Sequence, residues 1–471
     1  MIGIGVDFGT SNSAVALFDG ERVRLVRLEA DQDIMPTATY IDRDYQTKVG
    51  QAAIDQYVSD NAGRRVELVA EVVGKTSWAV GDGGGDHSRD APDTFEQAIY
   101  GQPVDIGLQG RLFRGVKRLL GDPNVRRLTV FTQLYRLVAL ITPVLLHMRK
   151  RVQAELQAIG ETGVERPHVG HPVHYEGRDP HKDSVALTRL GEACGYAGFR
   201  QQRFYPEPIA ATLSYLHSGG DGDTVLTIDF GGGTLDLCVL RRAGTGFDVL
   251  ATHGVPIGGD HIDQRLYAEL LFPMLGKGER WKRKGFDRSE IDTLFPFEDF
   301  EPMLLNWAVT YLLNQNRYLT PVLDCIHQPG EAGQKFRRLR DIIQHNYGYL
   351  LFQQVRDAKV RLSSADETEF DVPELDVRVT LTRARFEEMI ADLLQRVAEA
   401  VDRTVELSGL APEAIDRVIR TGGSSLIPAV RDILDARFPG RVVEHDPFTS
   451  VAVGLAIANY HDWRFERPKA G

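Results

Sequence analysis

Cysteine is scarce in this chain. There are three in 471 residues, Cys194, Cys238 and Cys325, far apart and without metal-ligand spacing. An odd, scattered set excludes a disulfide framework and fits a reducing compartment. Surplus positive charge is lacking too. The formal net charge is −11, which repels a phosphate backbone and argues against nucleic acid as a partner. No apolar run reaches the roughly 18 residues that a bilayer requires. The longest, Leu137–Met148, ends directly on Arg149, Lys150 and Arg151, and Leu305–Leu319 is broken by Asn and Arg. Both read as core segments, and no membrane partner is expected. Met1 leads straight into the strand-like Ile2–Val6, with no basic segment or cleavage site, so a secretory leader is not expected. A cytoplasmic location follows as the expectation. A GxxxxGK[ST] sequence is absent, and no GxGxxG opens a helix after a strand, which removes the P-loop and dinucleotide-binding classes.

What is present is ordinary globular composition, 42% hydrophobic and 26% charged, enough for two to four domains. Within it one phrase occurs twice. VDFGTSNSAVALFDG runs from Val6 to Gly20, and IDFGGGTLDLCVLRRAG from Ile228 to Gly244. Each has an aliphatic run, Asp-Phe-Gly, small residues and a second alternating run. The pattern predicts two strands joined at Gly9–Asn12, and again over Val225–Arg241. Further strands are expected at Arg166–Gly177, Val249–Gly259, Val377–Leu381 and Arg417–Arg420. Helical spacing covers Thr129–Gln157 (kinked at Pro143), Asp183–Cys194, Phe204–Leu216, Gln334–Ser363, Arg383–Leu407 with Thr382 as N-cap, and Thr449–Asn459. Gly81–Asp93 reads as a mobile surface loop. The basic run Gly276–Arg288 reads as a solvated loop, or else as a docking site for an acidic partner.

A tight turn rich in Gly and Ser/Thr can aim several backbone N–H groups at one point and bind phosphate. A carboxylate just before it can hold Mg²⁺ through water. Asp7-Phe8-Gly9-Thr10-Ser11-Asn12 supplies this once, and Asp229-Phe230-Gly231-Gly232-Gly233-Thr234 supplies it again. Two such turns face to face form a phosphate clamp. A third turn, Gly422-Gly423-Ser424, follows a strand. His168, His171 and His174 recur every third residue, but on a strand that spacing alternates faces, so the metal reading is the weaker one.

With these motifs in place the chain resembles the actin-like ATPases, and among them the ATPase domain of the seventy-kilodalton heat-shock (DnaK-type) chaperones, nearest the YegD-like branch. The resemblance is carried in order by GVDFGTSNS, VGQAAIDQ, VKRLLGD, GHPVHYEG, FYPEPIAATLSYL, LTIDFGGGTLDLCVL, IGGDHID, VRDAKVRLSS, LTRARFEEM, RTGGSSLIPAVRDIL and SVAVGLAIAN. It implies an α/β fold of two lobes, each on a five-stranded mixed sheet, with the nucleotide between them. The implied division is 1–222 (core 1–34 and 131–222, insertion 35–130), then 223–444 (core 223–256 and 389–444, insertion 257–388). Residues 445–471 would return to the first lobe.

The resemblance also implies roles. Asp7 and Asp229 would hold Mg²⁺ through water, with Glu207 and Asp236 completing the polar shell. Gly9, Thr10, Ser11 and Asn12 would bind one side of the phosphates, and Gly231, Gly232, Gly233 and Thr234 the other. Lys117 would contact the γ-phosphate and place the attacking water. Gly258, Gly259, Lys359, Ser363, Gly422, Gly423 and Ser424 would surround ribose and adenine, and Pro172 would relay to the rest of the first lobe. ATP/ADP, Mg²⁺ and, as a further ion, K⁺ are the implied cofactors, with a protein partner or client.

The chain departs from this pattern in places. Val360 and Leu426 stand where the chaperones place two adenine-stacking arginines. Arg356 replaces a glutamate near the ribose, and Phe448 replaces an acid before the last helix. After YHDWRFERPKAG the expectation is that no acidic linker or peptide-binding domain follows. The expectation is therefore a slow ATPase switch of chaperone type without peptide holding. A small-molecule kinase of the same superfold, a nucleotide-gated scaffold with little turnover, and an actin-like filament protein stand as alternatives.

Overall fold

The computed structural model describes residues 2–79, 94–161, 163–164, 166–243, 246–284 and 290–463. The duplicated phrase folds into a duplicated sheet. In the first sheet, β1 (Gly3–Phe8) turns at Gly9 into antiparallel β2 (Asn12–Phe18), which pairs with β3 (Val23–Leu25). A short β4 (Ile34–Pro36) also pairs with β2. β5 (His168–His171) lies parallel to β1, and β6 (Arg203–Pro206) parallel to β5. The second sheet repeats this plan. β7 (Thr224–Phe230) turns into antiparallel β8 (Leu235–Ala243), which pairs with β9 (Gly246–Val255). β10 (Arg417–Thr421) lies parallel to β7, and β11 (Val442–Glu444) parallel to β10. The orders β6-β5-β1-β2-β3 and β11-β10-β7-β8-β9 are the same arrangement written twice. The second sheet has the five strands expected; the first carries β4 as a sixth.

Alternation decides which faces are buried. Val6 and Phe8 of β1 pack with Ile141, Leu145 and Met148 of the helix α1 (Leu137–Ala158). Ile228, Leu237 and Val239 pack with Leu266, Tyr267 and Phe386 in a larger second core. Two helices, α2 (Glu207–His217) and α3 (Ser450–Tyr460), lie together between the sheets. Their contact depends on glycine: a Cβ on Gly454 would stand 1.7 Å from the Ala210 carbonyl oxygen, and one on Gly5 2.1 Å from that of Ala452. The first insertion builds a small sheet, Thr47–Val49, Ala38–Asp42 and Gly110–Arg114, with the helix Gln51–Asn61.

Several expected elements change. The stretch from Thr129 is not helical at its start. Arg127–Val130 and Gln133–Arg136 form a hairpin, with Phe131 at φ 54°, and Leu134 points outward at 62% exposure. Leu134 does not join the apolar stripe that Leu137, Val138, Ile141 and Leu145 bury. The Gln334–Ser363 segment is two helices, Glu331–Gln344 and Gly348–Leu362, parted at Asn346, whose φ of 54° suits Asn better than most residues. Arg383–Leu407 likewise divides at Ile390, although Thr382 does cap its start through the Arg385 N–H. Within the basic run, Arg280–Lys284 is a strand that pairs with Glu290–Leu294, and Arg280 bonds Asp292 at 2.9 Å. Gly81–Asp93 lies outside the described residues.

His168 on β5 is 1% exposed and stacks on Tyr205 at 5.6 Å. Burial, reinforced by Arg203, lowers its pKa from 6.5 to about 4. The unfolded chain then binds the extra proton first, so this imidazole contributes stability above pH 6.5 that is lost as pH falls toward 4. We expect His168→Phe to remove about 1–3 kcal/mol of the stability lost between pH 7 and pH 4. Chemical denaturation of both proteins across that range checks it; parallel pH curves would contradict it.

Candidate functional site

The two hairpin turns meet. A Cβ on Gly232 would lie 2.2 Å from Ser11 Oγ, and one on Gly233 2.9 Å from Thr10 Oγ1. Only glycine lets the second turn come this close to the first. Gly231 N–H donates to the Thr234 carbonyl at 3.0 Å and fixes the turn. The loop before the helix Gly259–Leu271 is laid beneath it. Gly259 N–H donates to Gly231 O at 3.0 Å, and Asp260 N–H donates to Gly232 O at 2.8 Å. A Cβ on Gly258 would meet Gly232 O at 2.3 Å. Ser424 Oγ donates to Gly231 O at 2.9 Å. Gly422, at φ 80°, leaves room beside Asp229. Lys359 Nζ donates to Gly259 O at 3.1 Å and pairs with Asp263 at 2.7 Å. The third turn, Lys359 and the Gly258-Gly259 pair thus gather on one side of the second turn.

Not every expected residue joins them. The Ser363 hydroxyl bonds the carbonyl one turn back, at Lys359. The Asn12 side chain is exposed at the start of β2. Val360 is 61% exposed, and Phe448, 42% exposed, edges over Gly423.

Below the turns lie Asp7, Asp229, Asp236 and Glu207, with one lysine among them. Lys117 is 4% exposed, and its Nζ donates to Glu207 Oε1 at 2.6 Å. Burial opposes the Lys117 charge, but Glu207 and Asp7 outweigh it and hold its pKa above the ordinary value. Burial, then the Glu207 charge, push Asp7 up to about 7 against the pull of Lys117. Burial and Glu207 likewise push Asp236 up to about 7, although Thr234 Oγ1 donates to it at 2.6 Å and Val173 N–H at 2.8 Å. Asp229 is raised well above the carboxylate range by burial, then by Glu207, Asp236 and Asp7. The Val173–Asp236 bond follows Pro172 directly and ties the first half of the chain to the second.

This excess of carboxylate over cation is an electrostatic setting that suits a divalent cation. Among the described residues, no three His, Cys, Asp or Glu side chains converge to ligate a metal directly. The donor set therefore fits an ion held through its own waters, as Mg²⁺ prefers. His168 and His171 are buried on β5, and His174 is exposed and bonded to Asp183 at 2.8 Å.

Sequence reasoning missed a neighbouring network. Arg118 donates to Glu176 at 2.6 Å, approaches Asp260 at 3.6 Å and contacts His261 Nε2 at 3.2 Å, joining the two halves across the cleft. Its adjacency to Lys117 was the available signal. A cavity of about 530 Å³ adjoins Thr10, Ser11 and Arg118. A groove of about 700 Å³ runs over α1 near Pro143 and contains none of these residues.

A family profile described as Hsp70 protein matches residues 138–277 and 341–459, together more than half of the chain. The chain belongs to the Hsp70 family. The doubled sheet is the actin-like ATPase fold of that family. The second turn, Glu207, Lys359 and the third turn fall inside the matched segments; the first turn and Lys117 fall before them. Individual Hsp70 relatives align over 96% of the chain. The chain is 26% identical to Heat shock 70 kDa protein 7, chloroplastic, of Arabidopsis thaliana, over 96% of this chain and 51% of that one. It is 25% identical to Chaperone protein DnaK of Thermus thermophilus, over 96% and 60%. It is 24% identical to Chaperone protein dnaK of Emiliania huxleyi, over 96% and 59%. The chain spans a half to three fifths of the length of these curated relatives. No helix among the described residues is long and apolar enough to cross a membrane.

Removing the lysine leaves buried acids without their counter-charge. Lys117→Met is expected to cost about 3–5 kcal/mol, and adding Glu207→Gln to restore much of it. Urea unfolding of the single and double variants decides; equal losses in both would contradict the pairing.

Proposed function

We propose that the protein binds Mg·ATP between its two halves, hydrolyses it slowly, and acts as a nucleotide-dependent conformational switch read by a protein partner. The observation that carries this reading is the pair of glycine turns meeting tip to tip over four carboxylates and one buried lysine. Residues 1–222 and 223–444 are taken as the two lobes, with 445–471 returning to the first.

In this reading Gly9–Asn12 and Gly231–Thr234 hold the phosphate chain from opposite sides. Magnesium, when bound, would neutralise phosphate charge; Asp7 and Asp229 would orient its waters. Lys117, held in place by Glu207, would stabilise charge on the terminal phosphate and position a water. Asp236, fixed by Thr234 and Val173, would accept a hydrogen bond from that shell. Such chemistry rests on positioning and charge neutralisation more than on a strong base. Ligand contacts to both lobes favour the closed arrangement, so turnover would alter closure.

A second reading, a nucleotide-gated binding protein with little turnover, draws on Val360 and Leu426, which stand where the family resemblance places two stacking arginines. Without stacking arginines each missing contact would weaken base binding by roughly 0.5–2 kcal/mol, and adenine preference would relax accordingly.

Single-turnover hydrolysis of Mg·ATP, measured beside Lys117→Ala, separates them. The proposal expects turnover by the parent protein, and by the variant nucleotide binding with hydrolysis reduced at least about a hundredfold. Binding without turnover in both would favour the gated reading. Turnover unaffected by the substitution would remove Lys117 from the reaction.

A further inference from the structure

The cavity of about 530 Å³ beside the first turn has the strand Gly110–Arg114 on one wall and the helix Gly348–Leu362 on another. Contacts between the two inserted regions roof it. Val66 N–H donates to Gln344 O at 2.8 Å, and Asn314 Nδ2 donates to Val66 O at 2.9 Å. The Tyr57 ring stands edge-on to Trp307 at 5.6 Å and to Tyr349 at 5.3 Å. Charges under such a roof are poorly screened.

Four guanidinium groups line the cavity, Arg111, Arg114, Arg118 and Arg356, against three carboxylates, Glu176, Asp260 and Asp263. The carboxylates are already matched. Glu176 and Asp260 take Arg118, and Asp263 takes Lys359 at 2.7 Å with Arg356 at 3.7 Å. Arg111 is bonded to the Thr129 carbonyl and the Tyr311 hydroxyl. Arg114 has only a neutral acceptor, Tyr349 Oη, at 3.2 Å. Among the described residues no carboxylate lies within ion-pair distance of it. Burial, then the charge of Arg356, lowers its pKa. Tyr349 and Arg356 are seven residues apart on one helix, on the same face and about 10 Å along it. Arg114 therefore docks on a helix face that presents a second cation to the same cavity. A part-buried cation with a like-charged neighbour and no acid in ion-pair contact, Asp260 acting on it only from farther off, is costly unless an anion completes it.

We propose that this cavity is a second ligand site, for a small molecule carrying a phosphate or carboxylate group whose oxygens are held by Arg114 and Arg356. Planar guanidinium forks match such oxyanions in two-point contacts. Trp307 and Phe352 offer apolar surface to the rest of the ligand, and the volume suits a small metabolite. The cavity adjoins the nucleotide cleft through Thr10, Ser11 and Arg356, and the site goes beyond the nucleotide reading.

Calorimetric titration of the full chain with phenyl phosphate and with benzoate, with and without Mg·ADP, tests this. At least one probe is expected to bind with ADP present, and Arg114→Gln, which keeps a donor for Tyr349, to weaken it about tenfold or more. Affinity for Mg·ADP should be unchanged in that variant. The phosphate and carboxylate arms tell which oxyanion is preferred. Absence of both probes at millimolar concentration overturns the proposal, as does equal binding by Arg114→Gln. Probe binding lost once ADP is added also overturns it, since the probe then occupied the phosphate turns. Arg114→Lys guards against misfolding: it retains the charge without the fork and should bind more weakly than the parent at an unchanged melting temperature. Failure of ADP to bind would count against the nucleotide reading alone.

Discussion

One buried lysine stands among four carboxylates at the floor of the cleft, and the surrounding structure is arranged to keep it there. Lys117 reaches Glu207 from a short helical turn, Val116–Leu119, outside both sheets. Glu207 opens α2, whose first turn favours a negative charge. Gly170 on β5 gives it space: a Cβ there would stand 3.0 Å from Glu207 Cγ. Asp7 and Asp229 end the first strand of each hairpin, and Asp236 faces Asp229 across the second. Each carboxylate is therefore delivered by a different element, and the position of each depends on sheet register. A one-residue slip in β1 or β7 would turn its aspartate to the opposite face.

The duplication explains why the site forms between two sheets rather than on one. Each hairpin contributes a glycine turn and an aspartate at the same topological place. α2 and α3, packed through Gly454 and Ala210, hold the two copies so that the turns meet. Above them the insertions diverge. The first has a small sheet, one helix and a two-stranded pairing of Leu68–Ala79 with Thr94–Asp105; the second is mostly helical, with an aromatic cluster of Phe295, Phe297, Phe300 and Phe336. The repeated plan of the sheets and the separate elaboration of the insertions divide the chain into a base that carries the glycine turns and a roof.

Much of this was legible because it is local. The Asp-Phe-Gly repeats, the Thr382 cap and the glycine pairs each constrain a few adjacent residues. Lys117 and Glu207, 90 residues apart, could be joined only through family resemblance. Elements failed where one backbone angle decided the outcome. Phe131, Asn346 and Ile390 break apparently continuous stripes, and periodicity carries no record of such breaks. The basic run at Arg280 reads as solvated because no short-range pattern marks Glu290–Leu294 as its strand partner. The Arg118 network and the Arg114 cavity depend on which faces two distant insertions present, and no short-range pattern encodes that.

The central claim is that the paired aspartates and turns form one magnesium-dependent nucleotide clamp. Calorimetric titration of ATP with Mg²⁺, and again with the metal chelated, tests it most directly, using the parent chain and the Asp7→Asn/Asp229→Asn double variant. The account predicts binding by the parent that is markedly tighter with Mg²⁺, and weak, metal-independent binding by the variant. Equal affinity with and without metal in the parent chain, or a variant that keeps the full magnesium effect, would contradict it.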